Sequence, residues 1–382
     1  MNFLKGLAFL MDKNNLISIG LLFDAEEKDL ERKIIEISKT IYQKFYDLFP
    51  QFNWVFNIIK RKHLPLSIPA DPIDLLELSS SIKLEYDFDY ILLFTEKPLK
   101  NRFNDTVNAV PSNMLEVAVI SISRFQDNMD AIIGIVMHCL GHLWGLQHRE
   151  NSVMKPLSFW KDEIILEWTD EEKEEIIQYL KNIADPRLEE INGKKINKFL
   201  FYIKLLLNEG FQILIEILVN KSWLLMGRLG KFTVITIISI IFLFLSAEAW
   251  EIGAHLSESW INFSIFFVIT LSTLSLYLGQ NLQKVAKTDK LKEQAVRSQL
   301  VIIGTILIGI ISFWLSLFII STFIIYILPQ KVLLGWANLS GKLPIIHYSK
   351  IMATFGIMAS ALGGQLEEED DIKAVLYYTE ET

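Results

Sequence analysis

The spacing of apolar positions divides the chain into a first half of short alternating elements and a second half of long apolar stretches. Leu16 to Phe23 (LISIGLLF) is a short run of strand formers. Glu26 to Leu48 follows with Leu30, Ile34, Ile37, Ile41 and Phe45 along one side, the period of an amphipathic helix. Phe52 to Ile59 reads as a second strand, and Pro72 to Ile82 as a helix entered through Asp71 as cap with Pro72 in its first turn. Tyr90 to Thr95 (YILLFT) and Val117 to Ile122 (VAVISI) supply two more strands. Asp127 to His142 predicts a long helix, capped by Asp127 or Asn128 and buried through Ile132, Ile135 and Val136. Asp170 to Tyr179 opens on Thr169 or Asp170 as cap with an acidic first turn, then brings Ile176, Ile177 and Leu180 inward. It reads as a charged surface helix closing the domain.

The second half obeys different physics. Phe199 to Leu218 is apolar but carries Lys204, Asn208, Glu209, Gln212 and Glu216, the pattern of an interfacial or packed amphipathic helix. Phe232 to Ala247, Ile261 to Leu278 and Leu300 to Leu328 are far less interrupted and read as spans, for which about 20 residues suffice. Ile351 to Leu362 is short and makes a fourth span only if it begins near Pro344. The expected organisation is a soluble domain over 1–190, an amphipathic linker or interfacial helix over 191–231, a membrane domain of three or four helices over 232–364, and an acidic tail over 365–382. Lys284, Lys287, Lys290, Lys292 and Arg297 crowd one loop, whereas Trp250 to Ser259 has no Lys or Arg. The inside rule then places the soluble domain in the cytoplasm of a multi-pass membrane protein. The side of the C-terminus stays open, because Lys331, Lys342 and Lys350 flank the far end of the third span.

Composition sharpens this picture in a few places. The net charge of −8 and the lack of a basic stripe interleaved with aromatics give no indication of a nucleic-acid partner, and none is expected. Leu7 to Met11 is too short for a signal-peptide core, so export of the first domain is not indicated. Cys139 is the single cysteine, which forbids an intramolecular disulfide and agrees with a reducing compartment. No charged residue lies near the centre of a span, and Glu248, Glu251, His255 and Glu258 fall at the predicted interface, so a transporter is a minor alternative.

Half of the six histidines fall in the eleven residues from His138 to His148, HCLGHLWGLQH. His138 and His142 share one helical face, and a continued helix would carry His148 elsewhere. A break at Gly145 lets His148 return as a third ligand, giving three imidazoles around one Zn²⁺. The bland alternative is a set of ordinary, partly buried histidines. In the zincin pattern H-E-x-x-H the glutamate takes a proton from metal-bound water. Here that position is Cys139.

The run H-x-L-G-H-L-x-G-L-x-H, with Met154 soon after in NSVMKP, resembles the metzincin clan of zinc peptidases, and within it the archaemetzincin-like proteins. Tyr86 to Leu99 and Val117 to Phe125 are similar to segments those proteins place before the zinc helix, so the resemblance covers about Leu16 to Leu180. It implies an α/β (α+β) metzincin-like soluble domain with a mixed sheet, here followed by an all-α transmembrane domain. It also implies His138, His142 and His148 as ligands of one zinc ion, with Met154 in the turn beneath them. The extra cysteines that bind a second, structural zinc in archaemetzincins are missing after His148, so only one ion is expected.

Cys139 admits three readings. It is a neutral small hydrophobe behind the metal, which free cysteine suits and which we favour. It is a zinc-stabilised thiolate forming a redox-sensitive site. Or the chain is an active peptidase whose base is another group such as Glu150, whose bland reading is a solvated loop charge. A thiol, with a reference pKa of about 8.5, is a poor substitute for a carboxylate that must accept and return a proton. The expectation is therefore a membrane-anchored, zinc-binding pseudo-peptidase that binds a peptide or protein partner. An active membrane metalloprotease is one alternative, and a transporter or assembly protein with a vestigial peptidase domain is another.

Overall fold

The strand-forming runs of the first half pair into one sheet. This computed structural model describes residues 15–26, 28–65, 67–100, 105–125, 128–157, 165–184, 198–219, 222–284, 292–363 and 369–377. Leu7 to Met11, Asp127 and the lysines at 287 and 290 lie outside them. Strands β1 (Leu16–Asp24), β2 (Asn53–Arg61), β3 (Tyr90–Thr95), β6 (Ala109–Ser112) and β7 (Val117–Ser121) form a five-stranded sheet in the order β2-β1-β3-β7-β6. All neighbours are parallel except β6 with β7. β4 (Leu99–Lys100) and β5 (Thr106–Val107) make a small antiparallel pair. The apolar period does not announce β4, β5 or β6. β6 is four residues long and contains Pro111, which lacks a ladder donor and is tolerated because β6 is an edge strand.

Strand alternation sorts the core. Ile17, Ile19, Leu21 and Phe23 of β1 and Tyr90, Leu92 and Phe94 of β3 join one apolar cluster with helices α1 (Lys28–Leu48) and α3 (Met129–Leu143). The side chains of opposite parity, such as Leu22, Ile91 and Leu93, are buried on the other face, where α2 (Pro72–Tyr86) packs on β3 and β7. Leu30, Ile34, Ile37, Ile41 and Phe45 of α1 are all fully buried, matching the expected stripe. Asp71 caps α2 by accepting from Ile73 N, with Pro72 first in the helix. That helix runs a turn past its predicted end to Asp87, which takes a left-handed φ of 59°. Lys83, buried on α2, is offset by Glu116 at 2.6 Å and the Leu115 carbonyl at 2.9 Å. α4 (Asp170–Ile183) is capped by Thr169.

The chain separates into two compact units, Met1–Leu205 with Val285–Val296 and Tyr377–Thr382, and Leu206–Lys284 with Arg297–Leu376. The second is helical: α5 (Lys198–Val219, shared with the first), α6 (Leu225–Arg228), α7 (Gly230–Leu245), α8 (Ala247–His255), α9 (Glu258–Gly279), α10 (Glu293–Ile327), α11 (Gln330–Trp336), α12 (Ile345–Gly363) and α13 (Glu369–Tyr377). By length and composition α9 and α10 can cross a membrane. The first expected span differs: Ser222–Arg228 and Gly230–Leu245 meet that test only together, and they are bent by 78°. α12 starts directly after Pro344 and packs on α7 and α9, with Thr236 hydrogen-bonded to Ser360 and Trp314 Nε1 donating to Thr354 Oγ1 at 3.1 Å. On α5 the acidic residues turn inward, and Glu209 and Glu216 meet Arg297 at 3.5 and 3.1 Å.

Candidate metal centre

Helix α3 presents His138 and His142 one turn apart and stops where its sequence demands. Asn128 caps its start by accepting from Ala131 N at 3.0 Å. Its last turn closes with Leu146 N donating to Gly141 O at 2.9 Å and Gly145 N to His142 O at 3.0 Å. These two bonds form a Schellman motif, with Gly145 in the left-handed region at φ 84°. The chain reverses there, and His148 comes back over the helix. His142 Nε2 is then 3.1 Å from His138 Nε2 and 3.2 Å from His148 Nε2.

The other ring nitrogens fix the proton positions. His138 Nδ1 lies 2.7 Å from the Val153 carbonyl and His142 Nδ1 lies 3.0 Å from the Leu146 carbonyl. A carbonyl only accepts, so each Nδ1 carries its ring's hydrogen, and each Nε2 turns a lone pair toward the other. Two such lone pairs at 3.1 Å repel unless a shared proton or a metal ion lies between them. Tetrahedral zinc, with Zn–N of about 2.0–2.1 Å, holds neighbouring nitrogens ~3.3 Å apart, so these separations fit the ion. One nitrogen from each of the three histidines lies within 4.8 Å of the others, and among the described residues no carboxylate or thiol joins this group.

The loop beneath is held as firmly as the helix. Met154 is fully buried against Gly141, where an added methyl would overlap its Sδ. Met154 N donates to Ser152 Oγ at 3.0 Å, and Ser152 Oγ donates to Glu172 Oε1 at 2.8 Å. Glu172 Oε2 accepts from Thr169 N at 2.8 Å, closing the capping box of α4. Arg149, next to His148, donates to Glu175 at 2.7 Å, and its Nε lies 3.9 Å from Glu172. That bond is the main cause of a guanidinium pKa raised above its ordinary value. Trp144 and Trp168, 5.6 Å apart and close to Phe45, wall off the end of α3 from behind.

No family model matches the chain, and no curated protein matches it. Among solved structures it is similar to an archaemetzincin from Methanopyrus kandleri, at 18% identity and a TM-score of 0.36, over 45% of this chain and 99% of that one. It is also similar to a zinc-dependent peptidase from Methanocorpusculum labreanum, at 18% identity and a TM-score of 0.33, over 41% of this chain and 99% of that one.

The structure thus brings together His138, His142 and His148, with Gly145 at the reversal and Met154 packed below. Cys139 is fully buried and belongs to the apolar core cluster. Glu150 is exposed and outside the histidine group. Sequence reasoning missed Gly141, Ser152, Arg149 and Glu172. Only the last left a local signal, the T-x-x-E of Thr169 to Glu172.

Proposed function

We propose that the first unit is a metzincin-like module that binds one Zn²⁺ through His138, His142 and His148, anchored to a membrane by the helices that follow. The carrying observation is the convergence of three Nε2 atoms at 3.1 and 3.2 Å, with backbone carbonyls at the Nδ1 atoms of His138 and His142. Zinc bound there would supply a Lewis acid that polarises a carbonyl oxygen. The chain's own groups orient the imidazoles and seat the ion; Cys139, packed among apolar side chains, supplies no carboxylate to move a proton. The module therefore engages a peptide or protein partner without cutting it, on the cytoplasmic side if the distribution of basic residues sets the topology.

Elemental analysis of the full chain purified in detergent tests the metal. One zinc per chain, absent from a His138→Ala, His142→Ala variant, is the expected result; equal metal in both would end the proposal. Peptidase assays on the zinc-loaded wild type and Cys139→Glu test the missing base. The wild type should be inactive and the variant should gain turnover, whereas chelator-sensitive hydrolysis by the wild type would favour a substitute base.

A further inference from the structure

The second unit contains a groove of about 940 Å³ that owes nothing to the histidine site. Its floor is one face of α10: Phe318, Ile319, Thr322, Phe323 and Tyr326 recur at helical spacing and extend over about 12 Å of helix axis. Its far wall is the chain entering α12, Leu343 to Ile346. The volume lies toward the upper end of the roughly 300–1,000 Å³ typical of small-molecule sites.

One end of this apolar groove is charged. Glu258, the first residue of α9, forms an ion pair with Lys350 and lies 3.4 Å from His347 Nδ1. His347 Nε2 donates to the Gly253 carbonyl at 2.9 Å, and Lys350 Nζ also reaches Asn262 Oδ1 at 3.3 Å. Glu258 remains 58% exposed, whereas Lys350 is 22% exposed. Trp260, two residues after Glu258, and Tyr326 in the groove lining are both exposed, the residue types that settle at a membrane–water interface. The site thus offers an acceptor carboxylate paired with a cation, and an apolar trough two helical turns long.

We propose that this groove holds one phospholipid with a zwitterionic, primary-amine headgroup, its ammonium on Glu258, its phosphate toward Lys350, and an acyl chain along Phe318, Thr322 and Phe323. An anionic headgroup would meet the exposed carboxylate with no ammonium to offset it. A trimethylated headgroup would lose the hydrogen bonds that a primary ammonium donates to Glu258.

Native mass spectrometry of the full chain, delipidated in detergent and titrated with phosphatidylethanolamine, phosphatidylcholine or phosphatidylglycerol, tests this. The expected result is one phosphatidylethanolamine retained at least tenfold better than either competitor. Glu258→Gln should remove that preference, and Thr322→Trp, which fills the trough, should abolish retention, with both variants melting near the wild type. Equal retention of all three lipids, or a preference unchanged by both substitutions, would overturn the site and leave only annular lipid.

Discussion

The two units place polar side chains by opposite rules. In the first, large apolar residues fill the interior, and buried ionisable groups are anchored by specific partners: Lys83 on Glu116, Glu172 on Ser152 and Thr169, His138 on the Val153 carbonyl. In the second, Phe242 and Phe266 stand 71% and 70% exposed while Thr236, Ser272, Ser321 and Ser360 are buried. Many of its hydroxyls bond back to a carbonyl one turn earlier, as Thr236 does to Phe232 and Ser360 to Gly356. An aqueous protein would pay heavily for such an exterior. Hydrocarbon as solvent, which the proposed membrane anchoring supplies, would remove the penalty and let small polar residues serve close helix contact. Gly253 and Gly356 show that contact: a methyl at either would crowd Tyr348 or Ile240.

The largest test of this contrast swaps an exposed apolar residue for a charge in each unit. Phe266→Lys, midway along α9, should cost about 2.5–3.5 kcal/mol of insertion free energy and deplete the protein from the membrane fraction. Tyr46→Lys, at a 59% exposed position on α1, should change stability by no more than about 0.5 kcal/mol in thermal unfolding. If both substitutions are silent, α9 faces water and the contrast fails.

A smaller effect separates two helix glycines. Gly141→Ala drives a methyl into Met154, an overpacking that should cost about 1–3 kcal/mol and lower the melting temperature of the first unit. Gly210→Ala meets nothing within 4 Å and should be neutral or stabilising by up to about 1 kcal/mol. Equal shifts would mean that Met154 does not pack beneath α3.

The smallest effect concerns Asp170, whose pKa is held below its ordinary value chiefly by the hydrogen bond from Lys173. A carboxylate with a lowered folded pKa adds stability above its unfolded pKa and loses it as pH falls through the folded one. The melting temperatures of wild type and Asp170→Asn should therefore differ slightly at neutral pH and converge in acid. A difference that grows on acidification would contradict the pair.

Much of the first unit was legible because its signals are local. Short apolar runs of strand formers and helical spacing announced β1, β2, β3, β7 and the helices, and Gly145 announced the reversal that returns His148. β6 was not legible, since four residues including Pro111 carry no period and the strand exists only through its pairing with β7. The Ser152–Glu172 bond was equally silent, as it joins residues 20 apart in sequence. In the second unit hydropathy marked the apolar stretches. The break between Arg228 and Gly230 falls in a stretch with Gly227, Arg228, Gly230 and Lys231, just before the expected first span, but its 78° angle is set by the backbone and carries no hydropathy signal.

The central claim is that three imidazole nitrogens, and no sulfur, hold the metal. Zinc K-edge X-ray absorption on the purified full chain tests it most directly. The account predicts nitrogen scatterers at about 2.0–2.1 Å with imidazole multiple scattering, unchanged in Cys139→Ser. A sulfur shell near about 2.3 Å that vanishes in Cys139→Ser would make Cys139 a ligand and contradict it.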